Sequence, residues 1–110
     1  TPEKPYRFLL EVDKGTEILK GIAQKFINYR TYFQPDNGPS LYEQRYKTDR
    51  GRVLFVAPSP QRMQHMKAVC EQQGGRMRYW FTSMQQLKTQ NVLSAPIWQR
   101  AGSEEFFPLI

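Results

Sequence analysis

Two carboxylates two residues apart, Glu11 and Asp13 in the stretch FLLEVDKGTE, are the side chains of this sequence best placed to do chemistry. On a strand, residues i and i+2 point the same way, so both acids lie on one face and close together. Paired carboxylates repel, and each resists leaving water. An oxygen-seeking divalent cation, Mg²⁺ or Mn²⁺, relieves both difficulties and makes Glu11 and Asp13 candidate metal ligands. The alternative is that Asp13 sits at an exposed strand end while Glu11 pairs with a basic side chain.

A candidate partner follows on the next element. At about 100° per residue, Lys25 falls between the directions of Ile18, Ile22 and Tyr29, on the apolar side of a helix. A helix that follows a strand packs back on its sheet, so the Lys25 ammonium is expected to reach toward Glu11 and Asp13. A lysine whose stem lies along the helix edge with its charge in water is the other reading.

These residues need elements to hold them. Residues 6–13 read as a strand, with Phe8, Leu10 and Val12 on an apolar face expected to drive folding and Leu9, Glu11 and Asp13 on the other. Gly15 ends it, Thr16 can cap the next helix, and Glu17 puts negative charge at the positive helix start. That helix is expected over 17–33, with Ile18, Ile22, Phe26, Tyr29 and Phe33 at amphipathic spacing. The breaker cluster at 35–40 opens a loop to Arg52, inside which 41–46 can form a short extra element.

Residues 53–57, VLFVA, form a continuous apolar run suited to a central strand covered on both faces. Ser59 and Pro60 then supply a cap and a first-turn proline for a helix over 60–73. That helix turns Met63, Met66, Val69 and Cys70 inward and stops at Gly74 and Gly75. A third strand is expected at 77–82, a helical turn at 83–88, and irregular packing in APIWQRAG. The β-α-β-α-β order argues for an α/β domain with parallel strands and right-handed crossovers, in a small two-layer or three-layer core. Three strands are few for a doubly covered sheet, so the 110 residues are expected to be a single-domain fragment lacking upstream core elements, or to pair as a homodimer.

Composition narrows the partners. Sixteen Lys and Arg against ten Asp and Glu give a formal net charge of +6, which favours a polyanion such as nucleic acid. Arg45, Lys47, Arg50 and Arg52 cluster in the loop with Tyr42 and Tyr46 interleaved, a pattern suited to phosphate contacts and base stacking. Arg62 and Lys67 add charge on the next helix, and Lys14 beside the acidic pair. The bland alternative is a solvated basic loop.

A single cysteine, Cys70, excludes an internal disulfide and fits a reducing cytoplasm. No run is long and apolar enough for a membrane span, and membrane association is not expected. One histidine, His65, on the outer side of its helix supports neither a histidine-based dyad nor a zinc site. Trp80 and Trp98 are expected in the core or, in a truncated domain, over a newly exposed surface.

FLLEVDKGTE, followed by KFINY and RVLFVAPSPQRM, resembles the replication-relaxation family of bacterial plasmid and mobile-element proteins. The likeness extends through FTSMQQL and VLSAPIW. Its most specific parts are E-x-D-(K/R)-G-T-E, carried by Glu11, Asp13, Lys14, Gly15, Thr16 and Glu17, and K-x-x-x-Y, carried by Lys25 and Tyr29. The resemblance implies a PD-(D/E)XK nuclease-like fold, of which this chain would be the C-terminal part. It makes Glu11 the acid of the (D/E)XK strand, puts Asp13 where an active nuclease has lysine, and gives that role to Lys25 with Tyr29 as companion.

In the mechanism so implied, Glu11 and Asp13 hold Mg²⁺ or Mn²⁺ against a scissile phosphate. Lys25 stabilises developing negative charge, and Tyr29 orients the lysine or a phosphate. The family's upstream aspartate would precede Thr1, so an incomplete active site is expected. The implied function is DNA-associated, as a divergent or inactive metal-dependent nuclease in plasmid or mobile-element DNA processing. The alternative is a noncatalytic DNA-binding or protein-interaction module.

Overall fold

The computed structural model describes residues 7–15, 18–35 and 37–110. The β-branched and aromatic runs form strands: β1 (Arg7–Val12), β2 (Gly51–Ala57) and β3 (Tyr79–Ser83). Two longer helices, α1 (Leu19–Phe33) and α3 (Pro60–Gln72), cross between them, with α2 (Leu41–Tyr46) inserted before β2. After β3 come α4 (Met84–Thr89), β4 (Trp98–Arg100) and β5 (Phe106–Phe107). The chain is thus a mixed α/β protein with a five-stranded sheet in the order β1-β2-β3-β4-β5.

β1, β2 and β3 are parallel, as the alternating order predicts, and β4 and β5 are antiparallel to their neighbours. The expected count of three strands is corrected here. Residues 98–100, read as irregular packing, form β4 because Trp98 buries against β3 and Ala101 donates its amide to the Tyr79 carbonyl at 2.9 Å. Three-residue strands carry too little periodicity to be read from sequence.

Local signals account for the helix ends. Ser59 accepts from the Arg62 amide at 3.1 Å, and Pro60 occupies the first turn of α3. Gly74, at φ +84°, takes the left-handed turn after α3, and a Cβ on Gly75 would collide with the Cys70 thiol. Ser40 caps α2 through the Glu43 amide. α1 begins at Leu19, two residues later than expected, and Ile18 at its cap makes no side-chain cap bond. The capping roles assigned to Thr16 and Glu17 fall outside the described residues.

The core lies on both faces of β2. Val53, Phe55 and Ala57 pack with Ile22 and Phe26 of α1 and with Met63, Met66 and Cys70 of α3. Leu54 and Val56 pack on the opposite face with Trp80, Ile97, Trp98 and Leu109. Both tryptophans are therefore core residues, as expected. None of the described helices is long and apolar enough to cross a membrane.

β1 reverses an expectation. Its apolar side chains Phe8, Leu10 and Val12 are 41%, 64% and 52% exposed, whereas Leu9, Glu11 and Asp13 turn toward the helices. The reason is topological. With consecutive parallel strands, right-handed crossovers put α1 and α3 on the same face, and the segments that cover the other face reach β2 and β3 without covering these three side chains.

Candidate functional site

Glu11 stands near the carboxyl end of β1, opposite Phe55 of β2. Lys25 and Tyr29, one helical turn apart on α1, both reach it. The Tyr29 hydroxyl donates to Glu11 Oε1 at 2.5 Å, and Lys25 Nζ lies 3.6 Å from Oε2. Burial first, then the Glu11 carboxylate, holds the Tyr29 hydroxyl well above the ordinary tyrosine range, so it remains a neutral donor. Glu11, Lys25, Asn28, Tyr29 and Tyr32 line an open cleft of ≈ 350 Å³.

Asp13 is not at an exposed strand end. Its amide donates to the Val56 carbonyl at 2.8 Å, prolonging the β1–β2 ladder, and its side chain is only 7% exposed. Arg62 grips it with a fork, Nε to Oδ2 at 2.8 Å and Nη2 to Oδ1 at 3.4 Å. Burial works to raise the Asp13 pKa, but the Arg62 hydrogen bond, the Gly15 amide and the charges of Arg62 and Lys25 outweigh it and hold it below 3.8.

Four of the residues singled out in sequence, Glu11, Asp13, Lys25 and Tyr29, thus meet at one end of the sheet, joined by Arg62. Their arrangement is a neutralised one. Glu11 has Lys25 and Tyr29, and Asp13 has Arg62, so the mutual repulsion expected of two bare carboxylates is relieved by side chains. A Mg²⁺ or Mn²⁺ ion at Glu11 and Asp13 would have to displace those partners. The gap between the acids, bordered also by Ile22 and Met66, holds ≈ 10 Å³, at the lower limit for one water. Among the described residues, no three His, Cys, Asp or Glu side chains converge on a common point. The donor set does not by itself fit a divalent-metal centre.

The predicted nucleic-acid contacts divide. Lys14 is exposed beside Asp13, and Arg62 is committed to Asp13. Lys67 is corrected: it is 2% exposed and ion-paired to Glu71 at 3.1 Å and Glu104 at 3.4 Å, tying α3 to the β4–β5 turn. Tyr42 is corrected too. It is fully buried among Tyr32, Phe33 and Tyr46 and donates to the Arg50 carbonyl at 2.8 Å, so it has no face for a base. A Cβ on Gly51 would come within 2.8 Å of its ring, so this close approach requires glycine.

Arg45 and Lys47 lie on and just after α2, and Arg50 and Arg52 at the start of β2, at the amino end of the parallel strands. Sequence reading missed the other half of this basic end. Arg78 immediately precedes β3 and sits beside Arg52, because β2 and β3 run in register with Val53 opposite Tyr79. The signal was present as two short repeats, Arg50-Gly51-Arg52 and Arg76-Met77-Arg78, each leading into a strand. Only the adjacency of β2 and β3 brings them together.

Two recesses open at this end and share Met77 and Arg78. One, ≈ 380 Å³, is bordered by Asp49, Arg50, Arg52, Trp80 and Arg100. Arg52 and Arg100 lie over the Trp80 ring, 4.5 and 5.3 Å from its centroid, and Arg52 also donates to the Leu109 carbonyl at 2.8 Å. The Arg100 Nε is buried without a hydrogen-bond partner among the described groups. The other recess, ≈ 430 Å³, runs between the end of α1 and the α3–β3 turn, with Arg30, Arg76 and Arg78 around Phe26, Phe33 and Tyr79.

The geometry defines a mixed α/β protein with an internally compensated carboxylate cluster at one end of its sheet and an arginine-lined surface at the other. Comparison of the chain with protein-family models, with curated proteins and with solved structures finds no match.

Proposed function

We propose that this chain is a DNA-binding α/β domain that engages the phosphate backbone through the amino end of its sheet. The observation that carries the reading is the convergence of Arg50, Arg52, Arg78 and Arg100 on one recess where, among the described residues, Asp49 is the single carboxylate. Guanidinium groups suit phosphate because each offers five donors in a planar fork. Counterion release from the backbone then supplies affinity without base readout.

The test is a salt titration of binding to a random-sequence DNA duplex. Arg50→Ala combined with Arg78→Ala is expected to weaken binding about tenfold or more and to flatten the salt slope by about two. Unchanged affinity and slope would defeat the reading.

A second reading is a metal-dependent, nuclease-like role of the replication-relaxation type in plasmid or mobile-element DNA processing. What favours it is the meeting of Glu11, Lys25 and Tyr29, the residues of the two motifs that carry the family resemblance. It requires Mg²⁺ or Mn²⁺ to compete with Lys25 and Arg62 for the acids. Metal titration followed by NMR tests it: shifts confined to Glu11 and Asp13 at millimolar metal support it, and their absence rules it out.

A further inference from the structure

We propose that the recess between the end of α1 and the α3–β3 turn is a seat for one unpaired nucleotide, its phosphate held by Arg30 and Arg76 and its base stacked on the Arg78 guanidinium that lies over Phe33. The inference rests on the DNA-binding reading and narrows it to single strands, chain ends or nucleotides out of a duplex.

Size and chemistry agree on this ligand class. At ≈ 430 Å³ the recess falls within the range of small-molecule sites, about 300–1,000 Å³. Its cations come from separate segments: Arg30 from the last turn of α1, Arg76 and Arg78 from the turn before β3. Among the described residues, no carboxylate borders it. Phe26 and Tyr79, 2% and 7% exposed, are the buried floor, whereas Phe33 is half-buried and carries the Arg78 guanidinium 4.0 Å from its ring centroid, so the plane open to a base is that of Arg78 backed by Phe33. Stacking on aromatic rings and on guanidinium planes is how unpaired bases are held. A duplex presents phosphates outward and keeps its bases stacked inside, so it can touch the arginine rim but cannot fill the recess.

Two of these arginines also serve the fold. Arg30 donates to the Gln73 carbonyl at 3.0 Å, and Arg76 to the Gly75 and Glu71 carbonyls at 2.6 and 3.3 Å, satisfying groups at the end of α3. Each of these contacts engages one terminal nitrogen, leaving the remainder of a five-donor fork. A purely capping role predicts that their loss costs stability and leaves ligand preference untouched.

Gln34 separates the two roles. It borders the recess, is exposed, and follows the last residue of α1, so Gln34→Glu changes charge with almost no change in shape. The glutamate offers the arginines an internal competitor. Fluorescence anisotropy would compare a 5′-phosphorylated single strand, its 5′-hydroxyl counterpart and the corresponding duplex, with deoxyadenosine monophosphate as competitor.

The single strand is expected to bind about tenfold more tightly than the duplex, and Gln34→Glu to remove about tenfold of that affinity while weakening duplex binding, through the shared Arg78, by no more than about twofold. A preference for the phosphorylated strand assigns the seat to a chain end, and equal binding of the two strands to an internal nucleotide. Saturation by the mononucleotide with no strand preference assigns it to a free nucleotide, provided Gln34→Glu abolishes it. Equal binding of strand and duplex, with Gln34→Glu changing neither and no mononucleotide binding, overturns the inference and leaves the DNA-binding reading standing. Loss of all binding, duplex included, overturns both.

Discussion

The two ends of the parallel sheet carry similar side chains and use them in opposite ways. At the carboxyl end, each acid faces a cation: Glu11 meets Lys25, and Asp13 meets Arg62. At the amino end, Arg50, Arg52, Arg78 and Arg100 gather around one recess with Asp49, and Arg52 lies over the Trp80 ring and donates to the Leu109 carbonyl. A charge cluster that satisfies itself contributes to holding the fold, and a cluster with an excess of one sign attracts ligands of the other. Motif-bearing residues are therefore at the compensated end, while the proposed binding surface lies at the arginine-rich end.

The largest effect should come from unbalancing the compensated end. Arg62→Ala leaves the Asp13 carboxylate in its shielded position without its fork, and about 3 kcal/mol of unfolding free energy is expected to be lost. Urea denaturation checks it, and duplex affinity should hardly change. An Arg62→Ala protein as stable as the parent would mean that the pair is not structural, and the contrast between the two ends would fail.

Tyr29→Phe should cost less, about 1.5 kcal/mol, since it removes a hydrogen bond to a charged acceptor while keeping the ring. Its loss should also appear in the alkaline limb of the stability profile. The Tyr29 pKa is raised in the fold from 10.0, so its contribution is present below about pH 10 and declines as pH rises through the folded value. A parent and a Tyr29→Phe protein with the same dependence above pH 10 would remove Tyr29 from the cluster.

Acid should dissolve the same end from the other side. The Asp13 pKa is lowered in the fold below its ordinary 3.8, so its stabilising contribution is complete well above that value. It is lost as pH falls through 3.8 toward the folded value. Asp13→Asn is expected to flatten this part of the stability curve, measured by chemical denaturation between pH 5 and pH 2. The smallest expected change is for Lys14→Ala, on the exposed side of the cluster, at most about 0.5 kcal/mol in stability. A larger loss would show that the carboxyl end extends beyond the pairs named here.

Much of this was legible in the chain. The caps of α3 at Ser59 and Pro60, the buried run at 53–57 and the inward face of Met63, Met66 and Cys70 follow from local propensity and period. The shared face of Glu11 and Asp13, and the approach of Lys25 to Glu11, follow from the helix and strand periods, whereas the Tyr29 hydrogen bond to Glu11 emerged only in the fold. Less legible were the burial of Lys67, whose acid Glu104 lies 37 residues away, and the strand at 98–100, whose pairing depends on β3. In those cases the partner, and not the local sequence, sets the environment.

What the sequence determined alone is therefore direction: which side chains share a face, where helices begin and stop, and which lysine looks toward the acidic pair. Period and capping are properties of neighbouring residues, so they can be read without knowing the fold. Tertiary structure decided adjacency. Right-handed crossovers placed both helices on the acidic face of β1 and left Phe8, Leu10 and Val12 exposed. The same topology set β2 beside β3 in parallel, so that Arg50 and Arg52, candidate contacts in sequence, and Arg78, unremarked there, became one arginine-lined surface.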